Sequence, residues 1–169
     1  QSQGFLGSGN GLVIENCYFE NNGSISKLDH NIYISRSQGA VTDIRVAGNE
    51  LYRAAMVDGQ CSGVSLVAHG TIPNLVIENN LVREDVGGAS PGCWGISVDP
   101  AYSEAERFEN VQIRGNKVIN EQDFEYGVTA TRVPVRTPGP GDAATTDVTV
   151  RNNSIYVTSG GTEIQVDSE

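Results

Sequence analysis

Asn74-Leu-Val-Ile-Glu-Asn-Asn-Leu-Val82 is one of five copies of a single phrase. The others are Gly11-Leu-Val-Ile-Glu-Asn-Cys-Tyr-Phe19, Asp43-Ile-Arg-Val-Ala-Gly-Asn-Glu-Leu51, Asn110-Val-Gln-Ile-Arg-Gly-Asn-Lys-Val118 and Asp147-Val-Thr-Val-Arg-Asn-Asn-Ser-Ile155. Successive copies start 32, 31, 36 and 37 residues apart. A repeat of this length at fixed phase marks a solenoid, in which each unit buries its apolar face only against its neighbours. A second phrase is interleaved: Asn31-Ile-Tyr-Ile-Ser35, Gly63-Val-Ser-Leu-Val67, Gly95-Ile-Ser-Val-Asp99, Gly127-Val-Thr-Ala-Thr131 and Glu163-Ile-Gln-Val-Asp167. Both phrases alternate apolar and polar residues with period two, which predicts strands. No sustained stretch follows the 3.6-residue period of a helix. Stacking the copies in phase puts Ile14, Val46, Ile77, Ile113 and Val150 in one column. It puts Ile32, Val64, Ile96, Val128 and Ile164 in another. The predicted core is a set of aliphatic ladders.

The seventh position of the first phrase holds Cys17, Asn49, Asn80, Asn116 and Asn153. Asparagine tolerates the left-handed conformation of a tight turn, and its amide can bond the repeats on either side. Cys17 interrupts the ladder in the first repeat. These phrases, with the Asn turn between them, resemble the right-handed parallel β-helix superfamily of pectate lyases, polygalacturonases, alginate lyases and epimerases, and phage tailspikes. The resemblance runs from about Gly4 to Val166. It implies an all-β solenoid of about five coils with an internal Asn ladder. It also implies three strands per coil, PB2 before the Asn turn, PB3 after it, and PB1 in the second phrase. Arg36–Thr42, Ala68–Pro73, Pro100–Glu109 and Arg132–Thr146 then read as PB1–PB2 loops, and a helical turn is expected at Ser103-Glu104-Ala105-Glu106. Residues before Gly11 are too few for another full coil.

At 169 residues the chain reads as one domain. Five coils make a short barrel with open strand edges. The expectation is therefore a piece of a longer β-helix, or a subunit that self-associates through its coil ends. The net charge of −10 disfavours nucleic acid and anionic membranes as partners. A polyanionic polysaccharide would need local arginines or a bridging Ca2+, and no other cofactor is suggested. Cys61 and Cys93 each precede a PB1 glycine by two residues, in adjacent coils. Stacked, they fall within disulfide range. Such a bond points to an extracellular or periplasmic location. Cys17 reads as a buried, inert thiol, and no zinc-type spacing is present.

The resemblance implies that substrate lies along the outer face of PB1. Most residues expected there are small and neutral, as on a solvated sheet. The departures are Tyr33 and Asp99 on the face, with Arg36, His69 and Arg132 at its edge. Asp99, His69, Tyr102 and Arg132 are the candidate catalytic residues; Tyr33, Arg36, Trp94 and Arg136 are the candidate substrate-binding residues. Glycoside hydrolysis needs two carboxylates, and Glu84, Asp85, Glu104 and Asp142 are the available partners for Asp99. A lyase or epimerase needs a base for the proton α to a uronate carboxylate and a cation to neutralise that carboxylate. His69 or Tyr102 could supply the base, and Arg36, Arg132 or Arg136 the cation. Trp94 and Tyr126 fall next to one another in a column with His30 and Ser62, a candidate sugar-stacking platform. His30 reads as a hydrogen-bonded strand-start histidine. The functional expectation is an extracellular carbohydrate-active protein. The alternative is a non-catalytic binding or assembly module such as a tailspike-like shaft.

Overall fold

The computed structural model describes residues 3–54, 56–85, 94–98, 102, 108–120, 126–130, 148–157 and 162–166. Three parallel sheets organise them, and the chain visits the sheets in a fixed order. The first sheet has six strands: Phe5–Gly7, Ile32–Ala40, Val64–Thr71, Trp94–Val98, Tyr126–Ala130 and Thr162–Val166. The second has five: Val13–Glu15, Arg45–Ala47, Val76–Glu78, Val111–Arg114 and Val148–Arg151. The third has five: Tyr18–Asn22, Glu50–Ala54, Leu81–Glu84, Lys117–Asn120 and Ser154–Val157. No helix occurs among the described residues. The arrangement is all-β and compatible with a parallel β-helix. Strand Phe5–Gly7 extends the first sheet beyond the five copies of the second phrase.

The aliphatic ladders form. Val46, Ile77 and Ile113 stack in register and are fully buried, as are Leu51, Val82 and Val118 in the third sheet. In the first sheet Ile96, Val128 and Ile164 pair as predicted, but the strand Val64–Thr71 is two residues off the predicted register. Ile32 and Ile96 both pair with Leu66 rather than Val64, and Ile34 pairs with Ala68. Trp94 pairs with Val64 and Tyr126, so the expected Ser62–Trp94 neighbourhood does not exist. A two-residue slip keeps every side chain on its own face, so an alternating pattern cannot detect it. Specific polar contacts fix the register instead. Asn31 Nδ2 donates to Ser65 Oγ at 3.0 Å, and His30 Nδ1–H donates to the Val64 carbonyl at 2.7 Å.

Two supposed loops are strand. Ile32–Ala40 runs past Arg36, and Val64–Thr71 carries His69 and Gly70. The pairing goes from Arg36↔Gly70 directly to Ala40↔Thr71, so residues 37–39 bulge outward and are exposed. Gly70 has φ +115°, and a Cβ there would meet the Arg36 carbonyl oxygen at 2.3 Å. Only glycine permits this approach. Between the third and first sheets lies an antiparallel hairpin, Met56–Val57 with Gln60–Cys61, that the repeat pattern did not predict. Its turn is Asp58-Gly59 with both φ positive (52° and 76°), a type I′ geometry that this dipeptide favours.

The Asn ladder is present with a different mechanism at its turn. Asn49, Asn80 and Asn116 are buried, and each Nδ2 donates to Oδ1 of the next at 3.0 Å, ending on Asn153. The same Nδ2 groups donate to the carbonyls of Ile14, Val46 and Ile77 in the preceding repeat. Each Oδ1 also accepts from the backbone N–H of the preceding repeat, starting with Cys17. The left-handed residue is the one before the ladder: Asn16, Gly48, Asn79, Gly115 and Asn152, with φ of 53–63°. Each ladder amide therefore bonds the repeats on both sides, and at Cys17 only the backbone N–H bond to Asn49 Oδ1 remains. The Cys17 thiol is exposed, not buried as expected.

Outside the core, a second ladder of left-handed residues caps the corner between the first and second sheets. Asn110 donates to Asn74, and Asn74 to Asp43, at 2.9 Å. On the second sheet's outer face Arg45 bridges Glu15 and Glu78, and Arg114 also binds Glu78. These two guanidiniums hold the Glu78 carboxyl below its ordinary value, Arg114 more strongly.

Candidate functional site

The pleat of strand Ile32–Ala40 sends Ile32 and Ile34 into the core and leaves Tyr33 and Ser35 on the outer face of the first sheet. On the next strand Val67 pairs with Tyr33, and His69 pairs with Ser35. The two-residue correction of the register thus brings His69 beside Ser35 and Tyr33. The Tyr33 and His69 rings meet edge to face with centroids 5.5 Å apart, and His69 meets Tyr102 at 6.2 Å. The Tyr102 hydroxyl lies 2.9 Å from that of Tyr33 and also bonds Ser35 Oγ. Three hydroxyls are thereby linked, with Tyr102 in the middle and 42% exposed.

His30 closes the group from beneath. It is buried, and its ring meets the Tyr33 edge at 5.1 Å. Burial depresses its pKa below the ordinary imidazole value, and the neighbouring His69 pushes in the same direction. With Nδ1–H given to the Val64 carbonyl, His30 is a neutral positioning group, as expected for a strand-start histidine.

The outer face here is not the solvated surface expected. Ser65, Val67 and Ser97 point outward by alternation and are buried. Arg36 follows Ser35 on the same strand, at the edge of the bulge, and is exposed. Trp94 is half-buried, one strand beyond His69 on the same sheet. Asp99, Arg132 and Arg136 lie outside the described residues, as do Cys93, Glu104, Asp142, the expected turn at 103–106 and the loop residues 86–93. Among the described residues, then, His69, Tyr102, Tyr33 and Arg36 share one region of the first sheet. Ser35 is the member that sequence reasoning missed. It appeared only as one of several small outward residues.

Of the four proposed carboxylate partners of Asp99, only Glu84 and Asp85 lie among the described residues. Asp85 receives Arg53 Nε at 2.7 Å, Arg53 Nη2 at 2.9 Å and the Tyr52 hydroxyl at 2.6 Å. The Arg53 guanidinium lowers the Asp85 carboxyl to about 2. The guanidiniums of Arg53 and Arg83 lie against the Tyr52 ring, 4.8 and 4.3 Å from its centroid. Glu84 is fully buried on the opposite side of the strand. Adjacent in sequence, the two acids face different environments.

Cys61 is buried and disulfide-bonded, and Cys17 is a free thiol. Among the described residues no three His, Cys, Asp or Glu side chains gather as metal ligands. No described helix is long and apolar enough to cross a membrane.

Comparison with protein-family models, with curated proteins and with solved structures finds no match.

Proposed function

We propose that the chain is a right-handed parallel β-helix protein of the pectate lyase, polygalacturonase and tailspike type. In this reading it binds or acts on a polysaccharide along the outer face of its first sheet. The Tyr33–Tyr102–Ser35 hydroxyl chain with His69 at its side carries the reading. Aromatic ring faces and linked hydroxyls suit a sugar ring, which offers an apolar face and a rim of hydroxyls. Proton abstraction fits this group better than two-carboxylate hydrolysis. Tyr102, hydrogen-bonded to both Tyr33 and Ser35, is the group placed to exchange a proton with a substrate. His69 is the alternative base, and Arg36, next to Ser35 at the edge of the bulge, is a candidate cation for a substrate carboxylate. Asp99, Trp94, Arg132 and Arg136 complete the proposed site, and Ca2+ is a candidate bridge to a polyanionic substrate. The disulfide at Cys61 supports an extracellular or periplasmic setting.

The test is incubation with uronate and neutral polysaccharides, following unsaturated-product absorbance, reducing ends and binding in parallel. Tyr102→Phe should lower turnover by about a hundredfold or more, the scale of a lost general acid–base group, with an unchanged melting midpoint. Binding without turnover would remove the lyase reading and keep the polysaccharide one. Neither binding nor turnover on any polymer would remove both.

The alternative reading is a non-catalytic binding or assembly module such as a tailspike-like shaft; self-association in sedimentation with no binding to any polymer would favour it.

A further inference from the structure

Glu84 is the anomaly of the third sheet. Its side chain is fully buried at the last position of strand Leu81–Glu84. One carboxyl oxygen accepts the Ala54 N–H at 2.8 Å. The other is buried with no hydrogen-bond partner. A carboxylate in that position would have one bond where an ionised group needs several, so burial favours the neutral acid.

The charged groups around it do not remove this penalty. Strand Tyr18–Asn22 carries Glu20, strand Glu50–Ala54 carries Glu50 and Arg53, and strand Lys117–Asn120 carries Lys117. Its own strand adds Arg83, and Asp85 follows. On the first-sheet strands opposite, Val64–Thr71 and Trp94–Val98, His69 alone titrates. The Ala54 N–H bond favours ionisation of Glu84 but satisfies only one of its oxygens; Asp85 opposes ionisation, and Arg53, which favours it, is already neutralised by Asp85. Desolvation dominates and carries the Glu84 carboxyl up to about 8.

The bond that Glu84 makes has consequences along the chain. Ala54 ends its strand, and the hairpin Met56–Val57 with Gln60–Cys61 follows directly. That hairpin leads into Val64–Thr71, the strand that presents His69.

We propose that Glu84 is a proton-linked latch: as a buried neutral acid it holds the Ala54 corner closed, and its ionisation opens that corner and loosens the hairpin feeding the His69 strand. The latch belongs to the fold alone and does not depend on any sugar being a ligand. In the opened corner the carboxyl regains water and its ordinary acidity. Opening then becomes easier as pH rises from the ordinary carboxyl range to about 8, and no easier beyond.

Amide hydrogen exchange, corrected for its intrinsic pH dependence, reads this directly. Protection at Ala54 should fall by up to about tenfold per pH unit between about 5 and 8, then level off. In Glu84→Gln it should stay high and independent of pH. A pH-independent wild-type protection, or the same slope in Glu84→Gln, would overturn the proposal. If Glu84→Gln does not fold, carbon-detected titration of the Glu84 carboxyl in the wild type decides. A midpoint near 8 supports the latch, and an ordinary carboxylate midpoint overturns it.

Discussion

A single column of side-chain amides shows how much one residue type does here. Asn80 donates to the Val46 carbonyl and to Asn116 Oδ1, while its own Oδ1 accepts from Asn49 N–H and Nδ2. Asn80→Leu would bury these partners unsatisfied. The expected loss is about 3 kcal/mol, read from the denaturant midpoint at constant slope. Cys17→Ala should cost under about 0.5 kcal/mol, the usual scale of a surface change, because the first turn is held by Asn49 from the repeat below. An equal loss in the two variants would contradict a ladder carried by its amides. The sequence showed the column but attached the left-handed conformation to it. The residues that carry that conformation, Asn16, Asn79 and Asn152 with Gly48 and Gly115, stand one place earlier. Asn, Gly and positive φ are interchangeable cues when two asparagines are adjacent, so the pattern alone could not separate the two roles.

Strands were easier to read than their register or ends. Alternation located every strand of the second and third sheets because one face of each is core. It could not distinguish Val64 from Leu66 opposite Ile32, since both are apolar and two residues apart. That ambiguity hid the meeting of Tyr33, Ser35, His69 and Tyr102. The bulge at 37–39 hid it further, because a strand interrupted by exposed residues reads as a loop. Asp58-Gly59 did carry a hairpin signal in the sequence, masked by the longer repeat around it. The strand Glu50–Ala54 also sets an acid limit. Arg53 and Tyr52 hold the Asp85 carboxyl low, at about 2 against an ordinary 3.8. A depressed pKa means the stabilisation is complete above the ordinary value and is lost as pH falls through the folded one. The expected loss is about 1–2 kcal/mol between about pH 4 and 2, and Asp85→Asn should remove that part of the acid limb. An acid limb identical in Asp85→Asn and wild type would show that the Arg53 pair contributes nothing there.

In the three described sheets each strand pairs only with the strands beside it, so loosening one repeat withdraws support from the next. A covalent tie within such a stack matters more than its single bond suggests, because it prevents two repeats from separating. Cys61 supplies one end of a tie, buried beside the hairpin that enters the first sheet. Cys93, the partner expected from the sequence, is 32 positions away. Closing a loop of that size stabilises by about 3–4 kcal/mol in the chain-entropy model. Cys61→Ser should therefore lower stability by about that amount and abolish any dependence of the melting midpoint on reductant. Labelling of the unfolded, unreduced wild type should find one reactive thiol, Cys17. Two further results would separate a local tie from a global one. If the tie is global, Cys61→Ser shifts a single cooperative transition and leaves its denaturant slope unchanged. If it only pins the hairpin, the main transition stays in place while amides at 56–61 lose protection. Three reactive thiols in protein made under oxidising conditions would reject the tie altogether, and with it the main support for an extracellular or periplasmic setting.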